Sequence, residues 1–152
     1  KKMMAIIGKY KVPYIMMHMR GNPQNMMNNT NYDDMIKEII NYFSEKINQA
    51  ISYKINDLII DPGFGFAKDI KQNYDLLNHM ELLKVLEKPV MVGVSRKSMI
   101  YKTLDTEPKK SLNGTTVLNT ISLIKGASIL RVHDIKEANE CIKLINSLNQ
   151  PS

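Results

Sequence analysis

Residues 57–68 read DLIIDPGFGFAK, a short apolar run that ends on a carboxylate and continues into a loop with two glycines. Leucine and isoleucine in so short a run favour a buried strand. Gly63 and Gly65 allow backbone conformations and close approaches that other residues resist. A strand followed directly by such a loop is typical of α/β folds, in which ligands bind beyond the carboxyl ends of parallel strands.

Three further apolar runs have the same form. They read VPYIMMHM at residues 12–19, PVMVGVS at residues 89–95 and SILRVHD at residues 128–134. Stretches with helical periodicity separate the runs, at residues 30–51, 72–86 and 111–125, and a last one follows at residues 136–148. We therefore predict four buried strands in one parallel sheet, each followed by a helix.

Several residues predict where the helices begin and end. Thr30, followed by Asp33 and Asp34, gives the first of these helices a start that resembles a capping box. Gly126 is placed to end the third helix in a left-handed conformation. The first ten residues have the character of the end of another helix.

The length of the chain limits how much of a barrel it can form. The apolar runs begin at residues 12, 57, 89 and 128, which gives about four strand–helix units. A closed barrel of eight units needs about 250 residues, whereas this chain has 152. We predict half of a (β/α)₈ barrel, and an open doubly wound sheet is the structural alternative.

Composition narrows the class of partner. The chain has 21 basic and 15 acidic residues, a net charge of +6, which favours anionic ligands. The lysines are scattered and Trp is absent, so nucleic-acid binding is not indicated. No apolar run approaches the roughly 20 residues that cross a bilayer, and the basic start is too short for a signal peptide. We expect a soluble, cytoplasmic protein, and Cys141, the one cysteine, excludes an intrachain disulfide.

The carboxylate of Asp61 is the first candidate for ligand binding. It ends a predicted strand and precedes two glycines and the rings of Phe64 and Phe66. A carboxylate can accept two parallel hydrogen bonds from a planar amidine-like edge, such as the ring N–H and 2-amino group of a pterin. The alternative is an ordinary turn in which Asp61 caps backbone amides.

Two further loops carry cations. Ser95, Arg96, Lys97 and Ser98 follow the third run and form a donor-rich group suited to a phosphate or a ring carbonyl, although the glycine pattern of a P-loop is missing. The alternative is a solvated basic turn.

Arg131 and His133 alternate with Val132 along the last run, so both side chains are expected on one face. A cation beside an imidazole suits a diphosphate. A salt bridge from Arg131 to a neighbouring acid is the alternative.

Two residues of the first loop complete the set of candidates. Met17 lies near a strand end, where a thioether can pack against a ring. His18 is a weak candidate for a metal ligand with His133, because no carboxylate cluster of metal-binding spacing accompanies them.

Taken together, MHMRGNP, DPGFGFAK, GVSRKSMI and RVHD resemble, in order and spacing, the motifs of the dihydropteroate synthase family. The resemblance covers essentially residues 1–152. It implies a (β/α)₈ TIM barrel of the dihydropteroate synthase type, of which this chain is about the last four βα units. The amino-terminal half then lies outside the chain. The implied reaction joins 6-hydroxymethyl-7,8-dihydropterin diphosphate to 4-aminobenzoate, with release of diphosphate, in a sulfonamide-sensitive step of folate biosynthesis.

The resemblance also implies roles for individual residues. The pterin ring would be held by Asp61 and Lys97 and lined by Met17, Gly65, Phe66 and Gly93. The aminobenzoate would lie beside Phe66, Lys97 and Ser98. The diphosphate would be held by Arg131 and His133, with Arg96 as a supporting cation, so that Lys97, Arg131 and His133 carry the catalysis. A homodimer is implied, as is Mg²⁺ bound mainly through the missing half and the diphosphate.

The chain departs from the family in two respects. Ser111 stands where the family often has an arginine, and the earlier loops, including those that bind Mg²⁺ and more of the pterin, lie outside the sequence. This fragment alone is therefore expected to be inactive. Two other readings stay open: a pterin-binding barrel of the folate-dependent methyltransferase type, which should lack the SRKS and RVHD pair, and a non-catalytic truncated barrel.

Overall fold

The computed structural model describes residues 2–148 and consists of four strands and six α-helices. The strands are β1 (Tyr14–Met17), β2 (Leu58–Asp61), β3 (Met91–Val92) and β4 (Ile129–Leu130). The helices are α1 (Lys2–Tyr10), α2 (Met35–Ser52), α3 (Ile70–Asn78), α4 (Ser98–Tyr101), α5 (Leu112–Ile124) and α6 (Ile135–Leu148). Three 3₁₀ segments, Met26–Asn28, Met80–Leu86 and Pro108–Lys110, complete the chain.

The four strands lie side by side, parallel and in sequence order. Strand β1 pairs with β2, and Met17 lies opposite Asp61. A parallel bridge between Ile60 and Val90 joins β2 to β3, which pairs in turn with β4. The predicted parallel sheet of strand–helix units is therefore confirmed, although each strand is shorter than its apolar run. Because all carboxyl ends point the same way, the four polar loops share one edge.

The prediction that every strand is buried holds only for the two central ones. Strands β2 and β3 are almost entirely buried, whereas Ile15 of β1 is 45% exposed and both residues of β4 are partly exposed. The prediction was wrong for β1 and β4 because each lies at an edge of this sheet. A strand needs neighbours on both sides and a covered face to be buried.

Buried apolar residues of α1 to α5 form one core with those of the strands, whereas α6 packs against α5. The helix ends differ in part from the prediction. Helix α2 begins after Asp34, whose side chain accepts a hydrogen bond from the Lys37 amide at 3.1 Å, and not at Thr30. The helix predicted at residues 72–86 is two segments. It starts as α3 at a capping box between Asp69 and Gln72 and turns into a 3₁₀ helix at His79. Helices α5 and α6 lie within one residue of the prediction.

Each connection from a helix to the next strand contains one residue in the left-handed backbone region. These residues are Lys11, Lys54, Glu87 and Gly126, with φ angles of 52°, 60°, 51° and 98°. Only Gly126 adopts this conformation without a steric cost from Cβ, as the sequence predicted. The other connections hold a strained residue, and the packing of the flanking helix and strand must supply the energy.

Within residues 2–148, no helix combines the length and the apolar character needed to cross a membrane.

Two substitutions, one that introduces a glycine and one that removes a glycine, test whether the left-handed residues in these connections are strained. Lys54 is exposed and makes no side-chain hydrogen bond in the structure, so Lys54→Gly should raise the free energy of unfolding by up to about 1 kcal/mol. Gly126→Ala should lower it by about 1 kcal/mol or more, because the new Cβ also lies 2.9 Å from Cε of Lys84. Urea denaturation measures both changes, and equal signs for the two variants would contradict the assignment of strain.

Candidate functional site

The carboxylate of Asp61 lies at the centre of the shared edge and is completely buried. Its Oδ1 accepts a hydrogen bond from the Gly63 amide at 2.9 Å. Its Oδ2 lies 2.9 Å from NH2 of Arg131, an ion pair without the alignment of a hydrogen bond. Within residues 2–148, this buried Oδ2 has no hydrogen-bond donor. The turn cap that the sequence left open as the alternative is therefore present on one oxygen, and the other oxygen is held by the ion pair with Arg131.

Arg131 reaches Asp61 across the backbone of β3. A Cβ on Gly93 would lie 2.8 Å from NH2 and 2.9 Å from Nε of Arg131, so the guanidinium rests directly on this glycine. The sequence left a salt bridge open as the alternative for Arg131, and the acid is Asp61 itself. The prediction that Arg131 and His133 lie in the strand is wrong, because β4 ends at Leu130; in the loop that follows, both residues are exposed and Val132 between them is less so.

His133 and Arg96 connect the last two loops. The ring Nδ1 of His133 lies 2.9 Å from Oγ of Ser95, which also accepts the His133 amide at 3.3 Å. The guanidinium of Arg96 binds both carboxylate oxygens of Asp134, at 3.1 and 2.5 Å. This pairing holds the pKa of Asp134 below its usual range. Arg96 therefore braces the loop that carries His133, and its charge is already partly compensated.

Lys97, in the loop after β3, reaches the loop after β2. Its ammonium donates to the carbonyl of Phe64 and lies 4.9 Å from the centroid of the Phe66 ring. Burial lowers the pKa of Lys97 to about 8; the Asp61 carboxylate opposes this shift and the Arg131 cation adds to it. Lys97, Asp61 and Arg131 therefore form one electrostatic group.

The remaining predicted residues border this group. Met17 lies opposite Asp61 in the strand register, and Ser98 begins α4 directly after Lys97. A Cβ on Gly65 would lie 3.2 Å from Cδ of Lys97, so this glycine admits the lysine stem. Phe66 is partly exposed at the rim. The residues predicted from the motifs thus lie at one edge of the sheet. They border an open surface around Asp61, Lys97 and Arg131, which we call the shelf.

Two buried residues beneath this shelf escaped the sequence analysis. Lys68 is 2% exposed, and its ammonium contacts the carbonyls of Gly63 and Phe66 and Nδ1 of His18. Asn73 is 1% exposed and accepts the Gly65 amide at 2.6 Å. The sequence did offer an indication for Lys68, because it is a lysine within a glycine-rich loop that directly follows a strand. No local pattern distinguished Asn73 from an exposed helix residue.

The described part of the chain does not assemble a metal site by itself. Among residues 2–148, no three His, Cys, Asp or Glu side chains meet in a group that could hold a metal ion. His18, weighed above as a ligand, contacts Lys68, and the free oxygen of Asp61 faces the cation of Arg131.

The charge coupling around Asp61 predicts opposite pKa changes in two variants. Asp61→Asn should lower the pKa of both Lys97 and Lys68, because the carboxylate favours their charged forms. Arg131→Gln should raise the pKa of Lys97, which the guanidinium lowers, and leave that of Lys68 nearly unchanged. Titration of the lysine ε-carbons by NMR measures all four values. A common shift of both lysines in Arg131→Gln would contradict this geometry.

Comparison with known proteins agrees with the arrangement. Dihydropteroate synthase from Synechocystis is 41% identical over 150 residues, which are 97% of this chain and 52% of that protein. The Escherichia coli synthase is 38% identical over 138 residues, 90% of this chain and 49% of that protein. The chain thus spans about half the length of these relatives.

Solved structures give the same result. A Yersinia pestis dihydropteroate synthase in a sulfonamide complex superposes with a TM-score of 0.93 at 37% identity, covering 95% of this chain and 54% of that one. The Thermus thermophilus synthase with 4-aminobenzoate gives 0.94 at 29% identity, covering 98% and 62%. The family model described as pterin binding enzyme matches residues 1–133. This chain therefore belongs to the pterin binding enzyme family, whose fold and loop order it shares.

Proposed function

We propose that this chain is the carboxyl-terminal half of a dihydropteroate synthase. In this proposal it supplies the last four βα units of a (β/α)₈ barrel and one wall of the active site. The Synechocystis and Escherichia coli synthases that match the chain are about twice its length. The exposed edge strands β1 and β4 support the proposal, since both would gain a neighbour in a closed barrel.

The observation that carries the proposal is the buried Oδ2 of Asp61, which has the ion pair with Arg131 at 2.9 Å but no aligned hydrogen bond. A ligand that donates an aligned hydrogen bond to this oxygen would therefore gain binding energy from it. The planar edge of a pterin offers the matching donors. Lys97 would bind the same ring from the other side, with Met17 and Phe66 against its faces. Gly65 and Gly93 would also line the ring site, where they leave room for the side chains of Lys97 and Arg131.

Arg131 acts in this proposal as a movable partner. In the structure its guanidinium pairs with Asp61 while its side chain remains 49% exposed. When the ring N–H groups take over the carboxylate, Arg131 is released to turn toward the diphosphate. His133, exposed at the same edge and held through Ser95, would bind the diphosphate beside it. Arg96 supports that loop through Asp134.

The proposed reaction is a substitution at the methylene carbon of the pterin. The bond from this carbon to the diphosphate oxygen breaks and its electron pair leaves with the diphosphate. The 4-aminobenzoate nitrogen then forms a bond to the cationic carbon and loses a proton. Stabilising the departing anion is the main task, which assigns it to Arg131 and His133. Phe66, Lys97 and Ser98 would border the arylamine.

Mg²⁺, a homodimer and a cytoplasmic location complete the proposal. By the resemblance to the synthase family, Mg²⁺ would be held mainly by the other half of the barrel and by the diphosphate, and this chain contributes no step through it. The homodimer and the location rest on the resemblance to the synthase family.

A chimeric enzyme tests the proposed function. Replacing the matched half of the Escherichia coli synthase with this chain should give an enzyme that forms dihydropteroate from the pterin diphosphate and labelled 4-aminobenzoate. Sulfonamides should compete with the arylamine. As a control for dividing the barrel at this junction, the two halves of the Escherichia coli synthase are expressed separately, mixed and assayed. A chimera that is folded by circular dichroism but forms no product would refute the synthase and favour a non-catalytic barrel.

Within that chimera, Arg131→Ala should lower kcat/KM by about 100-fold or more, because an anion contact of the transition state is lost. The variant should stay folded by circular dichroism but melt at a lower temperature, because the buried Asp61 carboxylate loses its ion-pair partner. Lys143→Ala removes an exposed cation of α6 away from the loops and is the matched control. Equal activity of the two variants would disprove the role of Arg131.

A further inference from the structure

We propose that Lys68 is a positioning residue that fixes the ring-binding loop, residues 62–67, to the end of β1. The inference rests on the proposed function, because it concerns how Gly65 and Phe66 are held for the ring. Lys68 lies two residues beyond Phe66, with its ammonium beneath the loop. The DPGFGFAK motif contains two charged residues, Asp61 and Lys68, and both are buried. Asp61 borders the shelf, whereas Lys68 lies beneath it.

All three protons of the ammonium have an acceptor. Nζ lies 3.1 Å from the carbonyl oxygen of Gly63, 3.0 Å from that of Phe66 and 3.1 Å from Nδ1 of His18. A lysine ammonium has three donors and no acceptor, so these contacts exhaust it. Lys68 is 2% exposed and therefore cannot also contact a ligand on the shelf. Its effect on a ligand must act through the loop.

The loop needs a cation because its backbone is folded back on itself. Gly63, Gly65 and Ala67 all have left-handed φ angles, of 73°, 79° and 50°. The carbonyl oxygens of Gly63 and Phe66 both point toward Nζ of Lys68. Burying two carbonyl oxygens side by side costs free energy unless a hydrogen-bond donor satisfies them. The left-handed Ala67, next to Lys68, is further strained by its Cβ.

The third contact ties the loop to the first strand. The His18 amide donates to the Asp61 carbonyl at 2.9 Å, and the His18 ring packs edge-on against Tyr42 at 5.0 Å between centroids. Burial and the cations of Lys68 and Arg20 lower the pKa of His18 to about 3, so the ring is neutral and its Nδ1 accepts from Lys68 in the tautomer that carries the proton on Nε2. Because Met17 precedes His18, the clamp spans both the Met17 wall and the Phe66 wall of the ring site.

The charges around Lys68 make this clamp sensitive to pH. Burial lowers the pKa of Lys68 to about 7; Asp61 on β2 opposes the shift, whereas Lys97 and Arg20 on the neighbouring loops add to it. Nearby His18 stays neutral in this range. As pH rises through 7, Lys68 loses its charge and one of its three donors. Ring affinity should therefore fall in the same interval, and this part of the pH dependence should vanish without the ammonium.

The experiment compares Lys68→Met with Lys71→Met in the chimeric enzyme. Lys71 lies exposed at the start of α3 and is the matched control. Lys68→Met should raise KM for the pterin diphosphate at least tenfold and change kcat less than threefold. The dependence of KM on pH between 6 and 8 should flatten. Amide exchange of Gly65 and Phe66 should accelerate at least tenfold in the ligand-free protein.

A rescue variant separates positioning from general stability. Lys68→Cys, in a Cys141→Ala background, is alkylated with 2-bromoethylamine in denaturant and refolded, which restores an ammonium at nearly the original length. KM and its pH dependence should then return to within threefold of the parent. This variant also decides the question if Lys68→Met does not fold.

The outcomes distinguish the two proposals. If the chimera makes no product but exchange accelerates in Lys68→Met and is restored by alkylation, the synthase proposal fails and the clamp stands. If the chimera is active while Lys68→Met matches Lys71→Met in KM, pH profile and exchange, the clamp is overturned. A loss of stability without a change in KM or in loop exchange also overturns it.

Discussion

A carboxylate buried at the end of β2 is the constraint on which the rest of this site depends. Removing a charge from water costs several kcal/mol unless cations and hydrogen-bond donors replace the solvent. Asp61 has no exposed surface. The Gly63 amide donates a hydrogen bond to one of its oxygens, and the Arg131 guanidinium forms an ion pair with the other. The compensation is incomplete, because Oδ2 lacks an aligned donor. One oxygen of the carboxylate therefore relies on the ion pair with Arg131 alone.

The surroundings of Asp61 follow from this need. Gly93 has no side chain because the guanidinium of Arg131 occupies that space. Lys97 approaches the same carboxylate from the loop after β3 and Lys68 from the loop that Asp61 itself begins, and both are buried far enough to lower their pKa. Arg131 together with two partly charged lysines around one carboxylate leaves a local excess of positive charge, which favours anions. This local excess carries more information about the ligand than the net charge of the chain does.

The sheet that presents these residues has unfinished edges within the described part of the chain. Parallel strands are usually buried on both faces and paired on both sides, yet β1 and β4 are partly exposed. The shelf around Asp61 is likewise open on one side, and Arg131 remains half exposed. Both features agree with the Synechocystis relative, of which this chain spans about half the length.

The sequence by itself determined the order of the strands, the parallel sheet and the loops that meet at its edge. These features follow from local apolar periodicity and from the direction that parallel strands impose on their ends. It also identified Asp61, Arg131 and Lys97 as members of one site. Helix ends were less accurate, since the choice of Asp34 over Thr30 depends on which side chain reaches a free amide.

Only the tertiary structure decided how the charges pair. The contact of Arg131 with Asp61 and the burial of Lys68 against His18 join residues 70 and 50 positions apart in sequence, a separation that no local pattern encodes. The exposure of β1 and β4 likewise depends on neighbours that a strand's own residues do not specify. Local preferences act over one or two turns of chain, whereas pairing energies depend on distances that exist only after the elements have packed.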